Sequence, residues 1–279
     1  MLENFIFENH LGQRFEGLAN GVYLNTNELR DYSWDYDVIN NRISRFYRQP
    51  KQRKLPLFVC CRTVAEAVEV KNRLLDLADV DVGAMLPGKV YVGDYYTTGF
   101  ITASKKSDYR ITGRYCAIEL TLTSSDPTWS RESTYVFAGS AGTGVGGQVD
   151  QSGIDYPYDY AYDYSVSSTS RQVVGGSVLG SKFRWRVYGP AQDPAIIIND
   201  HVYQVFGTIR AGETLVVDSL AKTIVLSTAS GAKVNWFNNR SRESYVFEPI
   251  PAGQSDILYN GSFAFDLTVI EERSEPRWT

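Results

Sequence analysis

The sequence predicts a mainly β protein of two domains, the first with one α-helix and the second entirely β. Three observations support this prediction. The chain has 279 residues, which is about twice the usual size of one domain. Apolar and polar residues alternate with period two along most of it, as in half-buried strands. A single glycine-rich segment, residues 138–147, interrupts the pattern near the middle.

The glycine-rich segment is typical of a linker. It also separates two regions of different charge. Residues 1–138 carry 17 basic and 17 acidic side chains, whereas residues 139–279 carry 11 basic and 15 acidic ones. We therefore predict an N-terminal domain over residues 1–137, a linker over 138–154 and a C-terminal domain over 155–279.

The one clear helix is predicted over residues 64–78. Its apolar residues fall on one face at helical spacing, interrupted once by Lys71. Thr63 and Glu66 fit a capping box, in which each side chain satisfies a free amide of the first turn. The apolar face consists of Val64, Ala67, Val68, Leu74, Leu75 and Ala78.

The strands are predicted from alternation. Residues 118–123 alternate isoleucine or leucine with polar residues, and residues 183–188 and 263–269 repeat the pattern with larger apolar side chains. Gly93-Asp94 separates two short β segments and predicts a hairpin with a two-residue turn. In the second half, short strands separated by glycine-containing turns predict an antiparallel sandwich.

Residues that carry catalysis or bind metals are scarce. There are two histidines, His10 and His201, and three cysteines, without any spacing typical of a metal site. Residues 142–147 match G-x-G-x-x-G, but the residues that follow cannot open the helix that a dinucleotide site requires. We expect no catalytic site, no cofactor and no metal, although paired carboxylates for glycoside hydrolysis stay open.

Charge and hydropathy limit the partners. The formal net charge of −4 argues against a general nucleic-acid binder. The start of the sequence has no basic region followed by a run of 7–15 apolar residues. The longest apolar stretches are far shorter than the roughly 20 residues of a spanning helix. We therefore expect neither a secretory leader nor insertion into a membrane.

Five tyrosines alternate with other residues within residues 155–164. An extended strand places all five on one face. That face suits a sugar or a partner protein, because tyrosine combines apolar area with a polar tip. The other interpretation is that the rings pack on the chain's own sandwich or linker. The candidate partner-binding residues are Tyr156, Tyr158, Tyr160, Tyr162 and Tyr164.

A run of six cations lies between Val38 and Pro56 without any acidic residue, and it contains two aromatic residues. Asn40-Asn41 predicts a turn before it. Such a segment suits an acidic surface of another subunit, a nucleic acid or plain exposure to solvent. The candidate residues of this run are Arg42, Arg45, Phe46, Tyr47, Arg48, Lys51, Arg53 and Lys54.

An ordered series of segments in the second half resembles the distal tail protein family of long-tailed phages and prophages that infect Gram-positive bacteria. The tyrosine-rich segment before the series also resembles that family, and the length and two-domain layout agree. The segments of the series are Val187–Asn199, Gly212–Thr223, Asn235–Phe237, Pro249–Gly253, Asn260–Phe263 and Glu271–Trp278.

The resemblance implies a structural function in the virion, at the distal end of the tail. N-terminal domains with a β-sandwich or split-barrel fold form a hexameric ring around a channel for DNA, without specific nucleic-acid binding. C-terminal galectin-like sandwiches project outward. A belt, assigned here to residues 33–57, embraces the neighbouring subunit. The implied partners are other copies of the chain, the tail tube protein, the tail-tip or tail-lysin protein, and receptor-binding proteins or baseplate arms.

Two other functions stay open at this point. A carbohydrate-binding adhesin is supported by the tyrosine segment and by two tryptophans, Trp185 and Trp236. A cell-wall hydrolase has only unassigned carboxylates in its favour.

Overall fold

The computed structural model describes residues 4–109, 113–139, 169–175, 177 and 180–278. The chain divides into two compact units. The first comprises Met1–Arg131 together with Glu272–Thr279, and the second comprises Glu132–Glu271. Strands dominate the described residues, which contain one α-helix. The mainly β fold class is therefore confirmed.

Ten of the described strands begin in the first unit. The last of them, β10, ends in the second unit. A 3-10 helix, Leu18–Asn20, lies between the second and third strands. The strands are β1 (Ile6–Glu8), β2 (Arg14–Glu16), β3 (Val22–Leu24), β4 (Asp35–Ile39), β5 (Arg42–Tyr47), β6 (Lys51–Cys60), β7 (Gly88–Val92), β8 (Tyr95–Tyr109), β9 (Tyr115–Ser124) and β10 (Trp129–Phe137).

All pairings in this unit are antiparallel, and β6 lies between β3 and β9. Strand β8 pairs with β7 along its first five residues and with β9 along the rest, so two sheets share it. Strand β7 continues through β1 to β2. The predicted turn at Gly93-Asp94 is confirmed, because Val92 pairs with Tyr95 across it.

The helix α1 (Val64–Ala84) begins where the sequence predicts. The Thr63 hydroxyl accepts a hydrogen bond from the Glu66 amide at 3.1 Å. The Glu66 carboxylate accepts one from the Arg62 amide at 3.0 Å. The two groups cap the first turn and stabilise the helix start.

The predicted end of the helix is wrong, whereas its predicted buried face is correct at Ala67, Leu74 and Ala78 and wrong at Val64 and Val68. The helix continues six residues past Ala78 to Ala84 and ends at Met85, whose backbone is left-handed (φ 56°). Val64 and Val68 are exposed. The buried stripe continues to Asp81. In the sequence, a polar residue at this position indicates that the apolar pattern has ended. The buried residues are Ala67, Val70, Leu74, Leu77, Ala78 and Asp81.

Asp81 is accommodated in the core by His10. The backbone amide of His10 donates to the Asp81 carboxylate at 2.8 Å, and its ring Nδ1 lies 2.6 Å from the same oxygen. A buried carboxylate needs such partners, since an unpaired one is costly. The contact fixes the last turns of α1 against the turn between β1 and β2.

The second unit contains β11 to β20, the end of β10, and β21 except for its last two residues. A 3-10 helix, Phe237–Asn239, follows β19. These strands are β11 (Thr169–Gly175), β12 (Lys182–Tyr188), β13 (Ala191–Gln192), β14 (Ala195–Ile198), β15 (His201–Gln204), β16 (Thr208–Ile209), β17 (Thr214–Asp218), β18 (Thr223–Ser227), β19 (Lys233–Asn235), β20 (Gly253–Tyr259) and β21 (Ala264–Arg273).

Two antiparallel sheets of this unit share one core. One sheet has the order β19-β18-β17-β12-β21-β10, and the other has the order β11-β20-β14-β15. Phe183, Trp185 and Val187 of β12 are fully buried, and they belong to the same cluster as Ile196 and Ile257 of the other sheet. Alternate residues from both sheets fill the interior, as in a sandwich.

Residues 272–279 pack with the first unit, whereas the sequence assigned them to the C-terminal domain. The Arg30 guanidinium lies over the Trp278 ring, 4.1 Å from its centroid, and Arg30 Nη1 donates to the Pro276 carbonyl oxygen at 3.0 Å. Arg48 donates to the Ser274 hydroxyl at 3.0 Å. These contacts are made across more than 200 residues of sequence, which local patterns do not show.

Two glycines near the end of α1 provide a matched stability test. A Cβ at Gly83 meets no atom within 4 Å, whereas a Cβ at Gly88 would lie 2.3 Å from the Asp81 carboxylate and 2.8 Å from the Glu8 carbonyl oxygen. We expect Gly83→Ala to raise the free energy of unfolding by about 0.5–1 kcal/mol. Gly88→Ala should lower it by about 1–3 kcal/mol.

Denaturant titration of both variants measures these changes. Equal effects of the two substitutions would contradict the assigned positions of α1 and β7.

Candidate functional site

The basic run forms two different structures. Arg42–Tyr47 is β5, which pairs antiparallel with β4 in a separate two-stranded hairpin. The predicted turn at Asn40-Asn41 is confirmed, with φ of 50° and 59°. Both values suit the type I′ turn that matches the twist of a hairpin. Lys51–Cys60 instead forms β6, which is paired on both edges.

One face of the hairpin is apolar and exposed. Tyr36 pairs with Phe46, and Val38 pairs with Ile43. Directly paired residues point to the same face, as do residues two apart on one strand, so all four share a face. Their exposed fractions lie between 54% and 57%, and the two rings touch with centroids 6.2 Å apart. Within the described part of the unit, nothing covers this apolar face.

The opposite face of the hairpin carries charges. The Arg45 guanidinium lies 2.9 Å from the Asp37 carboxylate and 5.0 Å from the Tyr47 ring centroid. Arg42 pairs with Ile39 near the turn and is exposed. The hairpin is therefore amphipathic, with an apolar face and a partly neutralised basic face. Sequence analysis identified Phe46 but missed Tyr36, Val38 and Ile43, although their alternation with charged residues is visible in the sequence.

The root of the hairpin is fixed by two half-buried cations. Arg48 lies over the Trp34 ring, 4.3 Å from its centroid, and donates to Ser274 and Thr128. The Lys51 ammonium donates to the Asp31 carbonyl oxygen at 3.0 Å. These contacts join the start and the end of the hairpin to the body of the first unit.

Arg53 lies in the core, which corrects its assignment to the belt surface. Its side chain is 0% exposed. Nη2 donates to the Pro127 carbonyl oxygen at 3.0 Å, and the guanidinium lies 5.9 Å from the Trp129 ring centroid. Nε and Nη1 are buried without any hydrogen-bond partner. A fully buried side chain contributes no exposed surface to a belt that embraces another subunit.

Burial lowers the pKa of Arg53 from 12.5 to about 10, although Asp31 and Glu28 act in the opposite direction. The group stays charged at neutral pH. Its lowered pKa means that the buried charge destabilises the fold at every pH below 10, and that this cost disappears as pH rises from 10 to 12.5. Such a charge is usually retained for a reason other than stability.

A pocket of about 210 Å³ lies at the hairpin root, wholly within the first unit. Three cations line it: Arg48, Lys51 and Arg53. Asp35 is the one carboxylate in the described lining. Lys54, the last cation of the run, is exposed and lies 4.0 Å from Glu119, outside this lining. Lys51 and Arg53, two residues apart on β6, line the pocket, whereas Lys54 lies on the other side of the strand.

The described candidates outside the basic run make structural contacts. The residues 155–164, with all five candidate tyrosines, lie outside the described residues. Trp185 is fully buried, so it cannot be the sugar-binding aromatic that an adhesin needs. Trp236 packs against the core of the second unit. His201 contacts the Tyr245 carbonyl oxygen at 2.9 Å, which is a structural contact.

The described residues contain neither a group of metal-ligating side chains nor a helix that could span a membrane. No group of three or more His, Cys, Asp or Glu side chains is arranged to hold a metal ion. No helix in the part of the chain that the structure describes is both long and apolar enough to cross a bilayer.

Solved structures of known proteins share the fold of this chain, although sequence comparisons find no relative. No protein-family model matches the chain, and no curated protein matches it. A similar solved structure is the Dit protein of phage SPP1, described as a paradigm of the hub adsorption apparatus in phages that infect Gram-positive bacteria. The TM-score is 0.57 at 11% identity, over 96% of this chain and 99% of that chain.

Structures of the phage P2 baseplate in its activated conformation, one with Ca and one with Sr, are also similar. Their TM-scores are 0.57 and 0.58 at 9% identity, over 99% of this chain and 100% of theirs. The fold resembles that of phage tail hub proteins. The resemblance predicted from the sequence is thus confirmed at the level of the fold.

The buried charge gives a testable stability effect. We expect Arg53→Met to raise the free energy of unfolding by about 1–2 kcal/mol, because an apolar side chain of similar length removes the desolvation cost. Lys54→Met is the matched control on the exposed face of the same strand and should change stability by less than about 0.5 kcal/mol. Denaturant titration at pH 7 measures both. A loss of stability in Arg53→Met would contradict the cost assigned to Arg53.

Proposed function

We propose that this chain is a structural distal tail protein of a long-tailed phage or prophage. It forms a hexameric hub that joins the tail tube to the tail tip or baseplate and to the receptor-binding components. The similarity to the SPP1 Dit hub protein over nearly the full length of both chains supports this proposal. The function is architectural, without a chemical step.

The hairpin β4–β5 is the proposed contact with the neighbouring copy of the chain. The observation that carries this step is its exposed apolar face of Tyr36, Val38, Ile43 and Phe46. In a closed cyclic ring, one patch of each subunit meets a different patch of the next. A projecting hairpin with an apolar face suits such a contact, because burying that face releases the water that it orders.

The cations on the other face of the hairpin suit a second part of the same contact. Arg42 is exposed, and Arg45 is only partly neutralised by Asp37. The second half of the chain carries the whole net negative charge. An acidic surface on the neighbouring copy would complement these cations and fix the orientation of the hairpin.

The remaining partners follow from the hub assignment. The ring formed by the first units would receive the tail tube protein on one side and the tail-tip or tail-lysin protein on the other, with DNA passing through without sequence-specific contacts. The second unit would take the role of the galectin-like sandwich and carry receptor-binding proteins or baseplate arms. The protein would act in the virion, at the distal end of the tail.

A substitution on the hairpin tests the proposed contact. We expect wild-type protein to be hexameric in light scattering coupled to size exclusion. Ile43→Asp places a charge in the centre of the apolar face, which should cost roughly 2 kcal/mol or more at each interface. Since a ring repeats this cost at every contact, the variant should be monomeric at concentrations at which wild type is assembled.

The control is Val234→Asp, which changes another exposed branched residue, on a strand of the second unit. It should leave the ring intact. Circular dichroism should show that both variants fold. A wild-type protein that stays monomeric at high concentration, or an unchanged ring in Ile43→Asp, would contradict the proposal.

A further inference from the structure

We propose that the pocket at the hairpin root binds an oxyanion, either a free phosphate or a carboxylate from a second copy of the chain. The pocket brings together Arg48, Lys51 and Arg53 around a volume of about 210 Å³. A water molecule occupies about 30 Å³ in the liquid, so the pocket has room for several waters and is large enough for a phosphate or a carboxylate. Binding of free phosphate does not depend on the assembly of a ring, whereas a carboxylate from a second copy rests on the proposed assembly.

Arg53 supplies the unused hydrogen-bonding capacity of the site. Its Nη2 contacts the Pro127 carbonyl oxygen, whereas Nε and Nη1 have no acceptor. Nε carries one N–H group and Nη1 carries two, so three donors of a fully buried guanidinium lack a partner. Buried donors are normally satisfied. The planar guanidinium matches the geometry of a carboxylate or a phosphate.

The charges around the pocket favour an anion. Three cations line it against the single carboxylate of Asp35. Asp31 and Glu28 also act on Arg53, and they raise its pKa, but burial and Arg48 act against them. Neither carboxylate provides an acceptor for Nε or Nη1. An oxyanion in the pocket would provide the missing acceptors and the missing negative charge.

Entry to the pocket depends on the two more exposed cations. Arg53 is fully buried, whereas Arg48 and Lys51 are half-buried. Both have long, flexible side chains. Lys51 is held by a single hydrogen bond to the Asp31 carbonyl oxygen. A rotation of the Lys51 side chain would admit the anion and place the ammonium beside it as a further donor.

The position of the pocket gives the bound anion a mechanical role. Asp35 is the first residue of β4, and Arg48 lies between the end of β5 and the start of β6. Both ends of the hairpin therefore leave the unit beside the pocket. An anion that bridges Arg48, Lys51 and Arg53 would fix the direction in which the hairpin projects.

Titration calorimetry of the full chain with inorganic phosphate tests the site. The reference is chloride at equal ionic strength. We expect saturable binding to wild type and about tenfold weaker binding to Lys51→Gln, since one charge-assisted hydrogen bond is lost. Arg53→Met should bind no phosphate. Lys54→Gln, which changes a cation of the same strand outside the pocket, should bind like wild type.

A second arm identifies the source of the anion. Sedimentation of the assembled protein with and without phosphate distinguishes the two sources. An unchanged assembly with phosphate bound indicates a free anion, whereas loosening of the assembly by phosphate indicates that a carboxylate of another copy occupies the pocket. Absence of phosphate binding to wild type, or equal binding to wild type, Lys51→Gln and Arg53→Met, would overturn the proposal.

Discussion

Strand β6 is the constraint on which the first unit depends. It pairs with β9 along all ten of its residues and with β3 along its second half. Its buried residues alternate strictly, at positions 53, 55, 57 and 59. A shift by one residue would turn all of them outward, so register and burial cannot be changed separately. The burial of Arg53 is therefore imposed by the same ladder that buries Leu55, Leu57 and Val59.

The sequence predicts those elements whose pattern is local. The turns at Gly93-Asp94 and Asn40-Asn41, the start of the helix and the alternating strands all depend on neighbours within a few residues. The end of α1 was not predictable in this way, because Asp81 is buried through its contact with His10, 71 residues away in sequence. The same holds for residues 272–279, whose packing depends on Arg30 and Arg48.

The candidate site was predictable in position but not in form. Charge alone groups the cations of residues 42–54 into one extended run, whereas alternation divides them between a hairpin and a core strand. The pattern 53-55-57-59 is present in the sequence, but Pro56 argues against a strand with partners on both edges. Strand β6 accommodates Pro56, whose carbonyl oxygen accepts a hydrogen bond from the Asn25 amide. In the second unit, alternation places Phe183, Trp185 and Val187 on one apolar face, and that face is buried.

The hairpin and Arg53 share one physical property, because each is unfavourable in an isolated subunit. An apolar face in water forgoes the hydrophobic gain of burial, and a buried guanidinium with unused donors keeps its desolvation cost. Folding alone relieves neither, since β6 fixes Arg53 and the hairpin pairs with no other described strand. The two proposals supply external groups of opposite kinds, an apolar surface for the hairpin and an anion for Arg53. Natural sequences break such local rules mainly at functional sites, which is why the hairpin and its root are the candidate site of this chain.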